Sequence, residues 1–269
     1  MLFLRYIGIT PLYGILMVVV PFYMLFAARN RKAISAYLMR MGYAGRWRRF
    51  CAVYRNHYYF AQAMVDRFAL FVGLEGRYRV RITGNEALIE AINRPQGAIL
   101  AGAHAGNMEL AGYFFDHSQK VFNGIVFGAE AKFLNRQREQ ILSRHQVNLI
   151  PVAADMSHVV LLHQALKRGE FVTLYGDRSL LGNKRTQTSF LGAPAFFPIG
   201  AFQLAVRMDV PVWTLFMMRE KSRHYHIIVR EIDRKSKAED YVAAYASVLE
   251  EVLRAYPEQW YNYYDFWKC

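Results

Sequence analysis

His104 and Glu109, in the run His-Ala-Gly-Asn-Met-Glu, are the residues of this chain best suited to moving a proton. They follow AILAGA (98–103), which reads as a buried strand, and open NMELAGYFFDH, which reads as a helix. In open α/β sheets, reacting groups gather where strands end on their carboxyl side and helices begin. An imidazole in such a loop is poised to act as a general base. A carboxylate on the following helical turn is placed to meet it, fix its tautomer and stabilise the imidazolium that forms. Gly106 permits close backbone approach, and free N–H groups at a helix start favour negative charge. Gly106 and Asn107 are therefore candidate substrate-binding positions. A His and a carboxylate at this spacing recur by chance in many chains; here they also follow an apolar strand, with Gly-Asn between them, which marks a site.

Other chemistries lack their residues. No G-x-S-x-G nucleophile elbow occurs, which disfavours an α/β-type hydrolase. Phosphate-loop and dinucleotide glycine patterns are also missing. The two cysteines, Cys51 and Cys269, stand far apart and offer neither metal spacing nor a disulfide framework. They read as unpaired thiols in a reducing compartment, and no metal ligand set is expected.

The elements that must position His104 repeat in strand–helix order. RYRVRIT (77–83) alternates like a half-buried strand, and NEALIEAINR reads as helix. After AILAGA and its helix come NGIVFGA (123–129) as strand, KFLNRQREQILSRH as helix, VNLIPV as strand, SHVVLLHQALKRG as helix and FVTLYG (171–176) as strand. A long loop follows, then AFQLAVRM as helix, VPVWTLFMM (210–218) and HYHIIVREI (224–232) as strands, and AEDYVAAYASVLEEVLRAYP (238–257) as a closing helix. Apolar strands alternating with helices predict an α/β fold with a mostly parallel central sheet covered by helices.

Ahead of this core, residues 35–73 read as a helix mixing Arg with Trp, Tyr and Phe. It suits a membrane interface or an ordinary packed amphipathic helix equally. His57 and the Tyr58-Tyr59 pair within it read as packing or interface residues. Ile7 to Ala28 carries no charge and is about long enough to cross a bilayer as a helix. Pro11 and Pro21 leave open a hairpin or an in-plane anchor, and a buried core helix is the further alternative. The cluster Arg29, Arg31, Lys32, Arg40, Arg46, Arg48 and Arg49 after it favours an uncleaved anchor with the body on the cytoplasmic side, since a signal peptide carries its charge before the apolar run. The expected organisation is an N-terminal membrane-anchoring helical segment at 1–32 and a catalytic domain at 33–269, helical over 33–75 and α/β over 76–269.

The chain is 54 % hydrophobic, and 34 Lys and Arg against 21 Asp and Glu give a net charge of +13. Such an excess suits an anionic membrane surface or an acidic protein or phosphorylated partner. Nucleic acid is disfavoured, because no nucleic-acid signature occurs and the basic residues flank apolar segments.

The run around His104 resembles the H-x-x-x-x-[DE] signature of the lysophospholipid acyltransferase superfamily, and its His-Gly-Asn-Glu form is most similar to the late lipid A acyltransferase branch. Tyr175-Gly-Asp177-Arg178 lies after a strand, where that branch has an aspartate. Ser189-Phe-Leu-Gly192-Ala-Pro194-Ala, with Pro198-Ile-Gly200, resembles its Phe-Phe-Gly-x-Pro-Ala loop, and Tyr256-Pro257-Glu-Gln259-Trp260 its late Pro-x-Gln-Trp element. The resemblance covers nearly the whole chain. It implies an acyltransferase of the bacterial inner membrane, cytoplasmic face, acting in lipid A (lipopolysaccharide) biosynthesis or on a related lipid. It implies His104 as general base aided by Glu109, an acyl-carrier protein or acyl-CoA thioester as donor, a lipid or glycolipid acceptor, and no cofactor. Arg178, Arg138 and Lys184 are the implied contacts for a donor or acceptor phosphate, and Asp177 is implied to orient a basic partner. The acceptor stays open among the lipid A precursor, polyene pigments, ornithine-type lipids and phosphoglycolipids. Acyl length and oligomeric state are likewise open, as is a lipid-binding role on the same fold without turnover.

Overall fold

The computed structural model describes residues 8–114, 120–127, 147–152, 157–178 and 184–268. Three helices lead: α1 (Ile9–Phe26), α2 (Ala28–Arg40) and α3 (Arg46–Phe71). The core then runs β1 (Arg79–Thr83), α4 (Asn85–Asn93), β2 (Ala98–Gly102), α5 (Met108–Ala111), β3 (Phe122–Phe127), β4 (Val147–Val152), α6 (Ser157–Lys167) and β5 (Phe171–Tyr175). It closes with β6 (Arg185–Phe190), β7 (Ala193–Pro198), α7 (Gly200–Met208), β8 (Val212–Lys221), β9 (His224–Ile232) and α8 (Ala238–Ala255).

Seven strands form one sheet in the order β1-β9-β8-β2-β5-β3-β4, with β8/β9 its antiparallel pair and the other pairings parallel. This is the covered, mostly parallel sheet that the alternating apolar segments predict. Every residue of β2 is buried, as expected of a central strand with both faces packed. Its side chains alternate between two cores. Ile99 and Ala101 join α7, α8 and the C-terminal aromatics on one face, while Ala98 and Leu100 join α4, α5 and the end of α3 on the other.

Three elements differ from the sequence reading. The helix expected over 35–73 is two helices, because α2 stops at a turn in which Tyr43 N–H bonds the Leu38 carbonyl at 3.0 Å and Gly42 N–H bonds that of Met39 at 3.1 Å. The stretch read as a long loop holds the hairpin β6–β7, turned by Leu191 and Gly192, both at positive φ. Pro194 and Pro198 mask this hairpin in the sequence, yet a two-stranded ribbon has open edges where proline costs little. The helix expected at NMELAGYFFDH is described for Met108–Ala111 alone, and that expected at KFLNRQREQILSRH lies outside the described residues. Pro21 sits inside a continuous α1, so the prolines do not split the apolar segment.

Candidate active site

Strands β2 and β5 are parallel neighbours with Gly102 opposite Tyr175, so the residues that follow each strand meet at the carboxyl edge of the sheet. Gly176 N–H bonds the Gly102 carbonyl at 2.8 Å and closes the two loops onto each other. His104 and Asp177 come next. The His104 ring Nδ1 lies 2.8 Å from Asp177 Oδ1, while Oδ2 accepts the His104 backbone N–H at 3.0 Å and the Trp260 indole N–H at 2.9 Å. With Asp177 ionised, Nδ1 carries the proton and donates it, so Nε2 is the acceptor nitrogen available to an incoming group. The His104 side chain keeps 24 % exposure and Asp177 only 3 %.

Burial by itself would raise the Asp177 pKa. The His104 charge opposes this, together with hydrogen bonds from the His104 ring, the Trp260 indole and the His104 backbone, and the carboxyl is held below its ordinary value. The tautomer contact expected of Glu109 is thus made by Asp177. The reason is topological, since β2 and β5 are adjacent whereas Glu109 rides on α5 and faces α3. There its carboxylate meets Arg67 Nη1 at 3.2 Å and accepts a hydrogen bond from the Tyr175 hydroxyl at 3.3 Å. The Tyr175 ring in turn stacks on the imidazole, centroids 4.2 Å apart and planes 26° from parallel. Tyr175 therefore touches both expected catalytic side chains.

Asn107, expected to bind substrate, is 1 % exposed and engaged within the protein. It donates to the Ala63 carbonyl at 3.0 Å and accepts from Arg67 Nε at 3.1 Å. Its place is under the site, tying the His104 loop to α3. Gly106 has φ +62°, and a Cβ there would stand 2.1 Å from the Met217 carbonyl oxygen of β8. The close approach expected of this glycine is to the protein's own strand. Next to it, Asn107 N–H bonds the Met217 carbonyl at 2.7 Å.

The C-terminal segment supports the same loop. Gln259 exchanges two hydrogen bonds with the Arg219 backbone at 2.7 and 2.8 Å, and its carbonyl accepts Gly106 N–H at 2.8 Å. Trp260, fully buried, packs against Phe190 of the hairpin at 5.6 Å while holding Asp177. The Gln259-Trp260 pair and the Phe190 loop, far apart in sequence, thus converge behind the His104–Asp177 pair.

Arg178 is half-buried. Its Nη2 lies 3.5 Å from the Tyr261 carbonyl, its guanidinium lies 5.5 Å from the Tyr264 ring, and its Nε is buried without a hydrogen-bond partner among the described residues. Lys184 is exposed just before β6, and Arg138 lies outside the described residues. No cluster of His, Cys, Asp or Glu able to hold a metal occurs among the described residues.

A sequence model described as bacterial lipid A biosynthesis acyltransferase matches residues 53–268, most of the chain and all of the site. The chain belongs to this family. Comparison with curated proteins finds no match. The match begins inside α3, so α1 and α2 of this acyltransferase precede the matched region. Of the side chains around the acyltransferase's site, Tyr175 stands in the sequence only as the start of the Tyr-Gly-Asp-Arg run, and Arg67 has no signal there. Arg67 reaches the site from a helix forty residues upstream of Asn107, a contact that no local pattern announces.

Proposed function

We propose that this acyltransferase moves a fatty acyl group from the thioester of an acyl-carrier protein or acyl-CoA to a hydroxyl or amine of a lipid or glycolipid, as in lipid A biosynthesis. It does so at the cytoplasmic face of the bacterial inner membrane. The observation that carries the reading is the His104–Asp177 pair at the carboxyl end of β2, with Glu109 beside it, in a chain of this family.

In the proposed reaction the acceptor O–H gives its proton to His104 Nε2 as its oxygen attacks the thioester carbonyl carbon. The tetrahedral intermediate then expels the thiolate, breaking the C–S bond, and the imidazolium returns the proton to sulfur. Transfer is direct, without an acyl-enzyme. Asp177 fixes the tautomer and stabilises the imidazolium. Glu109 acts one layer out, adding negative charge near the ring and steadying Tyr175, whose face supports the imidazole. Arg178, whose Nε has no hydrogen-bond partner among the described residues, suits a phosphate of donor or acceptor. Lys184 and Arg138 are proposed for the same task, and Gly106 and Asn107 for shaping the loop. No cofactor beyond the thioester donor is required. The net charge of +13 suits docking of an acidic carrier protein as well as an anionic leaflet.

The test is transfer of a labelled acyl group, from carrier-protein and CoA thioesters in parallel, into extractable lipid by membranes containing the full chain. Label in lipid supports the reading, and mass spectrometry of the product names the acceptor. If neither donor labels any component of a total lipid extract, the non-catalytic lipid-binding role replaces it.

A further inference from the structure

Helix α1 is long and apolar enough to cross a membrane, yet it is docked along the body of the protein. Its buried residues, Ile9, Tyr13, Val20 and Met24, are spread from its first turn almost to its last. They span most of a helix about 27 Å long. The attachment is also polar. The Tyr13 hydroxyl bonds Asp66 of α3, which is fully buried and paired with Arg219 of β8. Tyr58 bonds the Tyr13 carbonyl at 3.0 Å, Tyr54 that of Met17 at 3.4 Å, and Arg31 that of Met24.

The opposite side of α1 is bare. Val18 is 61 % exposed, Phe22 62 %, Leu25 65 % and Phe26 88 %, along one side of the helix, and Ile15, Met17, Val19 and Tyr23 beside them are about half exposed. Because Tyr58 meets Tyr13 while Tyr54 meets Met17, α3 runs antiparallel to α1. Phe50 and Trp47 lie one and two turns before Tyr54 on the same side of α3, and so fall beside the C-terminal half of α1. They are 55 % and 80 % exposed and pack edge to face at 5.9 Å. Exposed cations border this end: Arg29 and Lys32 after α1, Arg46 and Arg48 around Trp47.

We infer that α1 lies in the plane of the membrane rather than across it, and that its bare side, with Trp47 and Phe50 of α3, forms a monotopic face for an anionic phospholipid leaflet. A crossing helix would either carry the polar body to bilayer depth or strip Tyr13 from the buried Asp66–Arg219 pair, and both are costly. Exposed apolar surface flanked by an aromatic pair and by cations matches the acyl, interfacial and headgroup layers of an anionic leaflet. The inference rests on the membrane attachment proposed above and adds its geometry.

The test uses the full chain with Cys51→Ser, Cys269→Ser and a probe ahead of α1, Leu2→Cys. Sealed vesicles of each orientation are labelled with a membrane-impermeant maleimide. In-plane α1 predicts labelling from the side that bears the catalytic body, whereas labelling from the opposite side overturns the inference and leaves membrane attachment standing. In flotation, Trp47→Ala/Phe50→Ala is expected to weaken binding to phosphatidylglycerol vesicles at least about tenfold, the weight of one large apolar side chain returned to water. Unchanged binding removes α3 from the face. A wild-type chain that stays with the soluble fraction, alone or as a cross-linked dimer through this face, overturns both the inference and the attachment beneath it.

Discussion

Asp177 shows how much one buried carboxylate can organise. It fixes the imidazole by its ring nitrogen and by its backbone N–H, and a fully buried indole holds it in turn. Asp177→Asn keeps the volume but places an amide where Nδ1–H needs an acceptor. Acyl transfer is expected to fall about a hundredfold or more, with the far-ultraviolet circular dichroism spectrum unchanged. A variant of near wild-type rate would remove Asp177 from the proposed mechanism. At this scale the sequence places His104 and Glu109 in one short run after an apolar strand, and the structure sets that run at the carboxyl edge of the sheet. Local spacing gives the Nδ1 contact to Glu109, and the resemblance gives Asp177 a basic partner without naming it; that the partner is His104 depends on β5 lying next to β2 in the sheet. Asn107 reads in the sequence as an amide beside His104, and its burial and two internal hydrogen bonds appear only in the folded chain.

Among the elements, α3 does the most positioning. Its Asp66 lies in a buried group with Arg219, Tyr13, Tyr78 and Tyr225, and so joins α1, the start of β1, β8 and β9. Asp66→Ala leaves Arg219, 4 % exposed, without its counter-charge. A loss of about 3–5 kcal/mol is expected in urea unfolding, large enough to cost soluble expression. A change within about 0.5 kcal/mol would contradict the assigned role, since that is the size of an ordinary surface effect. The central strands and α8 were readable from periodicity, because burial on both faces leaves continuous apolar runs. The β6–β7 hairpin was not. Its prolines argue against a strand, and its stability comes from Phe190 packing on Trp260, Phe197, Phe266 and Trp267, four rings distant in sequence or on the paired strand. The Pro-x-Gln-Trp element was visible as a pattern, but its work, clamping β8 and holding Asp177, appears only in the folded chain.

For the whole molecule, a covered, mostly parallel sheet carries an apolar helix docked at its N-terminal side and a net charge of +13. The Asp177 linkage gives a pH expectation for the folded chain. Its carboxyl titrates below the ordinary value in the folded protein. Its stabilising contribution is therefore fully present above the unfolded carboxylate pKa of about 4, and is lost as pH falls through the folded value. Thermal unfolding of wild type against Asp177→Asn between pH 3 and pH 7 should show the two curves converging on the acid side. A constant difference across that range would contradict the depressed pKa. Fold and family were legible in the sequence, because they rest on the strand–helix order and on four motifs in their proper sequence.

Proton transfer to His104 is the central step of the proposed reaction. The direct measurement compares wild type with His104→Ala, in membranes and with matched amounts of protein, for transfer of labelled acyl from thioester to lipid. A fall of at least about a hundredfold is expected, with membrane association and melting unchanged. A His104→Ala enzyme that transfers at the wild-type rate would contradict that step.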